Sequence, residues 1–303
     1  MGLKWSQTNK EEYMRVAIIG GSGKMGRWFA DFLLKEGKEV IITGRNEGKL
    51  LEAKRQLGVE ATTNNVEAVK SADAILLSVP IANFEEVVEQ VSPYTRPEQV
   101  IIDITSVKVF PVETMHKHIK TGLTLGTHPV FGPGAKSITN QNFVLTPTNE
   151  RERTLAQKVE EYLETRGAKV ALMTPQEHDE MMAVILGLSH FIAIVSADTL
   201  LSFDRLKQMG TISGITYKML LTLVESVISE DPELYASLQM SLPNMMEIEE
   251  LFQQRVKTWT GLVKNKDRQE FVKRMSALRS RLEEVNPGFG KAYENMYKIV
   301  EGL

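Results

Sequence analysis

Residues 15–27 read RVAIIGGSGKMGR, and this stretch decides the fold. Val16 to Ile19 is a β-branched, apolar run of buried-strand type, and it breaks into the glycine pattern GSGKMG at Gly21, Gly23 and Gly26. Met25, Trp28, Phe29, Phe32 and Leu33 then recur at helical spacing with charged residues between them. The order is strand, turn, helix. Each glycine has its own use in a dinucleotide site: Gly21 lets the strand turn tightly, Gly23 brings bare backbone to a pyrophosphate, and Gly26 lets the helix pack close to the sheet. The phosphates then sit at a helix N-terminus, where free N–H groups and the macrodipole favour an anion. A second strand, Val40 to Thr43, follows the helix stop at Gly37 and closes a βαβ unit. The expected cofactor contacts are Gly21, Ser22, Gly23, Lys24, Met25 and Gly26, with Ser78, Val79 and Pro80 at the end of a later strand.

The end of the second strand bears on the choice of dinucleotide. A carboxylate about 20 residues past the glycines would accept a ribose 2′-OH and repel a 2′-phosphate. Here the chain reads Thr43, Gly44, Arg45, Asn46, with Lys49 one turn on. A guanidinium therefore stands where a 2′-phosphate could be gripped by charge-assisted hydrogen bonds. This favours NADP over NAD, against the reading of Arg45 and Lys49 as solvated surface cations.

At 303 residues the chain has room for two domains. A net charge of −3 and the lack of a long basic stripe argue against nucleic acid as the main partner. With no cysteine, disulfides, thiolate metal sites and cysteine nucleophiles are excluded, and no metal site is expected. Met1 to Met14 is polar and lacks the apolar core of a secretory signal. No uninterrupted apolar run reaches membrane-spanning length, so a soluble cytoplasmic protein is the expectation.

Up to residue 174, strand-like and helix-like segments alternate, as in the α/β class with a Rossmann-type, doubly wound parallel sheet. Further strands are expected at Ala74 to Val79, Val100 to Ile104, Leu123 to Thr127, Asn142 to Thr146 and Lys169 to Leu172, with amphipathic helices such as Phe84 to Val91 and Glu152 to Thr165. From residue 175 to 303 the pattern is all-α: Gln176 to Leu201, Ile215 to Ser229, Pro232 to Val263 with a break at Pro243, Asp267 to Val285 and Phe289 to Val300. The methionine pairs Met181 and Met182, and Met245 and Met246, read as core packing. From Met181 to Val195, apolar residues cover most of the helix circumference. A homodimer built through this second domain would hide that surface, and so would an intimate interdomain interface.

In open α/β sheets, reactive groups gather at the carboxyl ends of strands. Two blocks lie there: DITSVK, Asp103 to Lys108, and THPVFGPGAK, Thr127 to Lys136. Pro129 forces extended backbone at His128. A histidine so held beside a nucleotide site suits a base that accepts a substrate hydroxyl proton while hydride leaves the same carbon; it equally suits a structural histidine capping the turn. His190, in LGLSHF, shares a helical stripe with Asp179, Ala183 and Leu186, and reads either as a ligand contact or as a core histidine. His178 lies off that stripe and reads as a first-turn polar residue. His116 and His118 fall on an expected surface helix and carry no assignment.

Together, GGSGKMGRWFA, DITSVK, HPVFGP, EHDEMMAVILGLSHF and a helix ending in SEDPELYASLQMS resemble the prephenate dehydrogenase family, which includes arogenate and cyclohexadienyl dehydrogenases. The resemblance runs over about residues 15 to 285 and implies a nucleotide domain followed by a helical dimerisation domain. It implies oxidative decarboxylation of prephenate to 4-hydroxyphenylpyruvate with reduction of NAD(P). On this ground His128 is the base, Ser106 holds its imidazole or the substrate hydroxyl, and His190 contacts substrate or nicotinamide. The chain departs from the family where arginines precede the DPELY segment, having Lys218 and Ser226 there. Lys218 is a candidate partner for substrate carboxylates, with Arg205, Lys108 and Lys136 as alternatives; lysine offers a point charge where arginine offers a fork. Prephenate and arogenate are not separated by these residues. Another two-domain NADP-linked dehydrogenase, or a non-catalytic NADP-binding sensor, are the competing readings.

Overall fold

The computed structural model describes residues 14–301. The polar N-terminal stretch lies outside the described residues, Met14 excepted. The chain divides into two compact units, Met1–Met181 and Met182–Leu303, and the division falls within the helical stretch Pro175–Leu201.

The first unit is built on eight strands: β1 (Arg15–Ile19), β2 (Glu39–Thr43), β3 (Glu60–Thr62), β4 (Ala74–Leu77), β5 (Val100–Asp103), β6 (Leu123–Pro129), β7 (Asn142–Leu145) and β8 (Lys169–Leu172). Their order in the sheet is β3-β2-β1-β4-β5-β6-β7-β8. The helices of this unit are α1 (Lys24–Lys35), α2 (Glu47–Leu57), α3 (Asn65–Ser71), α4 (Phe84–Val91), α5 (Val109–His118), α6 (Glu150–Glu164) and α7 (Pro175–Met182). Central strands read as continuous apolar runs because both faces are covered. On one face Ala17, Ile19, Ile75, Leu77 and Ile101 pack with Phe84, Val88 and Met115; on the other Val16, Ile18, Val40 and Ile42 pack with Phe29, Ala30 and Leu50.

The sheet is parallel, as expected of a doubly wound fold, except at one pair: β7 runs antiparallel to β6, with His128 opposite Val144, and β8 is parallel to β7. The 130–141 connection contains no helix, so it cannot make the crossover a parallel pair requires and brings the chain straight back. The short strand β3 was not expected, having only Glu60, Ala61 and Thr62 to signal it.

The second unit is helical throughout its described residues. A π-helical turn (Ala183–Leu188) leads into α8 (Ser189–Leu201), followed by α9 (Leu206–Thr211), α10 (Ile215–Ile228), α11 (Pro232–Ser241), α12 (Met245–Lys264), α13 (Arg268–Val285) and α14 (Ala292–Glu301). The break expected at Pro243 is present, and Asn244 takes a left-handed φ of 57° there. Gly187 sits under Met245, whose Sδ would lie 2.3 Å from a Cβ at that position. Of the methionine pairs expected in the core, Met182 and Met245 are buried while Met181 and Met246 are exposed. Neighbouring residues on a helix point about 100° apart, so one face cannot take both. The π turn adds a residue to its loop, so the 3.6-residue stripe read from Asp179 through to His190 does not carry across it.

Candidate active site

The glycine turn after β1 is arranged differently from the sequence reading. The positive φ falls at Gly20, at +81°, and a Cβ there would meet the Ser78 carbonyl oxygen at 2.2 Å. Gly20 thus gives both the turn and the approach of the β4 end, where Ser78 N–H donates to the Ile19 carbonyl at 2.9 Å. Gly21 is needed for space instead, since its Cβ would lie 2.6 Å from that of Ile42. Gly26 does what was expected: a Cβ would fall 2.6 Å from Gly21 Cα, so α1 packs directly on the turn.

The residues present fit a dinucleotide phosphate. Gly23 caps α1 with no side-chain hydrogen bond, and no acidic residue lies in the first turn. The positive end of α1 is therefore left to backbone N–H groups of the segment Ser22, Gly23, Lys24, Met25. Past β2, Asn46 caps α2 by accepting from the Lys49 N–H at 2.9 Å. Arg45 is exposed and donates to Asn83 Oδ1 at 3.2 Å; no carboxylate occupies the 43–46 turn.

At the carboxyl ends of β5 and β6 the polar residues form one buried network. Lys108 is wholly buried, and its Nζ donates to Asp103 Oδ2 and to the Thr127 carbonyl, both at 2.5 Å. Thr105 Oγ1 donates to the other Asp103 oxygen at 2.6 Å, and Thr127 Oγ1 to the Asp103 carbonyl at 2.7 Å. Burial lowers the Lys108 pKa, and the Asp103 carboxylate opposes the shift. This corrects the expectation that Lys108 meets a substrate carboxylate. Its charge is spent inside the protein, where it ties β5 to β6.

His128 is 4% exposed. Its Nδ1 lies 2.8 Å from His178 Nε2, and His178 Nδ1 lies 2.7 Å from Asp179 Oδ1. The Asp179 carboxylate also accepts the backbone N–H groups of Lys108, at 2.7 Å, and Val109, at 2.9 Å. It therefore caps α5 from α7. Burial, then His178 and then the Lys108 ammonium hold His128 well below the usual histidine range. Burial also lowers His178, with Asp179 acting against it. Both imidazoles are consequently neutral near pH 7.

His178 and Asp179 were missed as site residues. The signal was the adjacent His-Asp pair in the first turn after β8; the sequence reading split it, taking His178 as a first-turn polar residue and Asp179 as part of the His190 stripe. Ser106 is half-buried and its hydroxyl makes no hydrogen bond among the described residues; His178, not Ser106, holds the His128 imidazole. In the second unit, the His190 ring packs on Tyr235 with centroids 4.8 Å apart, and its buried Nδ1 has no hydrogen-bond partner. Lys218 and Arg205 are exposed cations of that unit, and Lys136 is an exposed cation of the first.

Two family models cover most of the chain: the nucleotide-binding domain of prephenate dehydrogenase over residues 29–172, and its dimerization domain over residues 174–277. The chain belongs to the prephenate dehydrogenase family. A probable arogenate/prephenate dehydrogenase of Methanocaldococcus jannaschii is 38% identical over 270 residues, which is 88% of this chain and 60% of that protein. A T-protein of Haemophilus influenzae is 28% identical over 267 residues, 88% of this chain and 66% of its own length. The chain thus spans about two thirds or less of these family relatives. The fold matches that of an Aquifex aeolicus prephenate dehydrogenase solved with hydroxyphenyl propionate and NAD+, with a TM-score of 0.74 at 22% identity, covering 90% of this chain and 98% of that one.

Proposed function

We propose that this protein oxidatively decarboxylates prephenate to 4-hydroxyphenylpyruvate, with arogenate as the alternative substrate and NADP as the preferred cofactor. The observation that carries the reading is His128: a buried, neutral imidazole at the carboxyl end of β6, its Nδ1 engaged by His178. The remaining nitrogen, Nε2, is the one left to accept a substrate hydroxyl proton. A bound nicotinamide supplies the acceptor for the hydride that leaves the ring carbon bearing that hydroxyl. Loss of the ring carboxylate as carbon dioxide then makes the ring aromatic, and the phenol oxygen takes back the proton His128 held. The protein has to orient the ring and hold one proton; the driving force is in the substrate.

The preference for NADP rests on Arg45 and on the lack of a carboxylate in the 43–46 turn. Replacing Arg45 by Ala is expected to weaken NADP binding about ten-fold, the scale of one charge-assisted hydrogen bond, and to leave NAD binding unchanged; isothermal titration checks it. For the whole reaction the test is prephenate and arogenate, each with NADP and with NAD, followed by absorbance of the reduced cofactor. No reduction in any of the four mixtures overturns the reading. His128→Asn is expected to lower turnover by about 10²–10⁴-fold while NADP still binds.

The second unit supports a homodimer as the working form. Only 17% of the apolar window in helix Pro175–Leu201 is buried, and by length and a mean hydropathy of 1.9 this helix is apolar enough to cross a membrane. Val184, Ile185, Val195 and Leu201 are exposed on it, in the segment matched by a dimerization domain. Covering them with a second copy removes that surface from water.

A further inference from the structure

The pair His178–Asp179 does more than fill space behind His128. Asp179 is a carboxylate that already accepts two backbone N–H groups, and only a donor can approach it from the imidazole side. His178 must therefore carry its proton on Nδ1. That leaves its Nε2 as a bare lone pair, which at 2.8 Å from His128 Nδ1 requires a proton on the latter atom. A single carboxylate thereby sets two tautomers in series, and the second leaves His128 Nε2 unprotonated.

We propose that His178 is the positioning and proton-accepting residue behind His128: when His128 Nε2 takes the substrate hydroxyl proton, the Nδ1 proton of His128 passes to His178 Nε2, and the positive charge comes to rest beside Asp179. This rests on the functional reading above. The step balances, since the N–H bond at His128 Nδ1 breaks as one forms at His178 Nε2, and both protons return in reverse order when the phenol oxygen is reprotonated.

The surroundings favour this resting place. A charge on either ring is opposed by burial and by the Lys108 ammonium; on His128 no carboxylate offsets this, whereas on His178 the Asp179 carboxylate lies at 2.7 Å and Asp103 adds attraction. The groups facing the two rings are thus Lys108, opposing, and Asp179 and Asp103, assisting. The ring planes are 73° apart with centroids at 5.0 Å, which fits an in-plane hydrogen bond rather than stacking.

His178→Gln separates holding from proton transfer. A glutamine amide oxygen accepts from His128 Nδ1–H and preserves its tautomer, but it takes no proton. Turnover with prephenate is expected to fall about 100-fold or more, with KM, NADP affinity and melting temperature unchanged. Wild-type turnover in that variant overturns the proton-accepting role. Nitrogen NMR of histidine-labelled protein without ligands supplies the independent readout. It is expected to show both His128 and His178 as Nδ1–H tautomers, and on acidification an imidazolium at His178 before His128. An Nε2–H tautomer at either residue, or prior protonation of His128, overturns the proposal. If the wild type converts neither substrate, the functional reading fails, and the NMR titration still decides where the proton goes.

Discussion

Lys108 lies in a position where sequence and structure diverge most sharply. In DITSVK it looks like a cation at a strand end, ready for a carboxylate from outside; folded, it answers a carboxylate five residues earlier in its own chain. Replacing it with Met leaves Asp103 buried and unpaired, and the expected cost is about 3–5 kcal/mol in chemical denaturation. The companion Asp103→Asn change should recover part of this, because it removes the stranded charge. The strand-end placement of Asp103, Ser106 and His128 was readable, since apolar runs mark where strands stop. Their partners were not, because His178 approaches from an element 50 residues on and no spacing rule reports such an encounter.

Among elements, the connection from β6 to β7 is fastened to the helix that opens the nucleotide site. Trp28 of α1 donates from Nε1 to the Ala135 carbonyl at 2.7 Å, and Phe131 meets its ring edge-on at 4.9 Å. The segment following His128 therefore rests on α1. Trp28→Phe keeps most of the ring contact and deletes the hydrogen bond; the expected loss is about 1 kcal/mol, with faster amide exchange confined to residues 130–141. The helical spacing identified Trp28 as inward-facing, but one ring nitrogen seeking a partner across 107 residues is a tertiary fact. The antiparallel return of β7 escaped for a similar reason: alternating strand and helix signals argue for parallel strands, and only the helix-free connection argues otherwise. His116 was expected on a solvated face, yet it lies 2.5 Å from buried Glu152, which also accepts from Thr124 and Thr148. That cluster joins α5, β6 and the start of α6.

For the molecule as a whole these groups set how stability depends on pH. His128 and His178 have folded pKa values below the ordinary 6.5, so their contribution is complete above that value and is lost as pH falls. Glu152 is lowered from 4.5 to about 2 by His116 and the two threonines against its burial, so its contribution persists to lower pH and fades toward 2. His116 is raised by Glu152, so its share is full below 6.5 and disappears as pH rises through its folded value. Urea denaturation from neutrality downward is expected to show a fall starting below about pH 6.5, and His178→Gln should flatten that fall. Ile185→Glu tests the proposed assembly at the same scale: the expected sedimentation result is a dimer for the wild type and a monomer for the variant, and a wild type that sediments as a monomer overturns the pairing. Two domains and an apolar helical surface were legible from composition and periodicity, because burial on a large scale leaves a statistical trace. The interior ion pair supplies a further use. An amine that reagents cannot reach while β5 and β6 stay joined is a built-in clock for opening, and under conditions of fast reclosing the acylation rate of Lys108, read by mass spectrometry against exposed lysines, measures the opening free energy of the sheet.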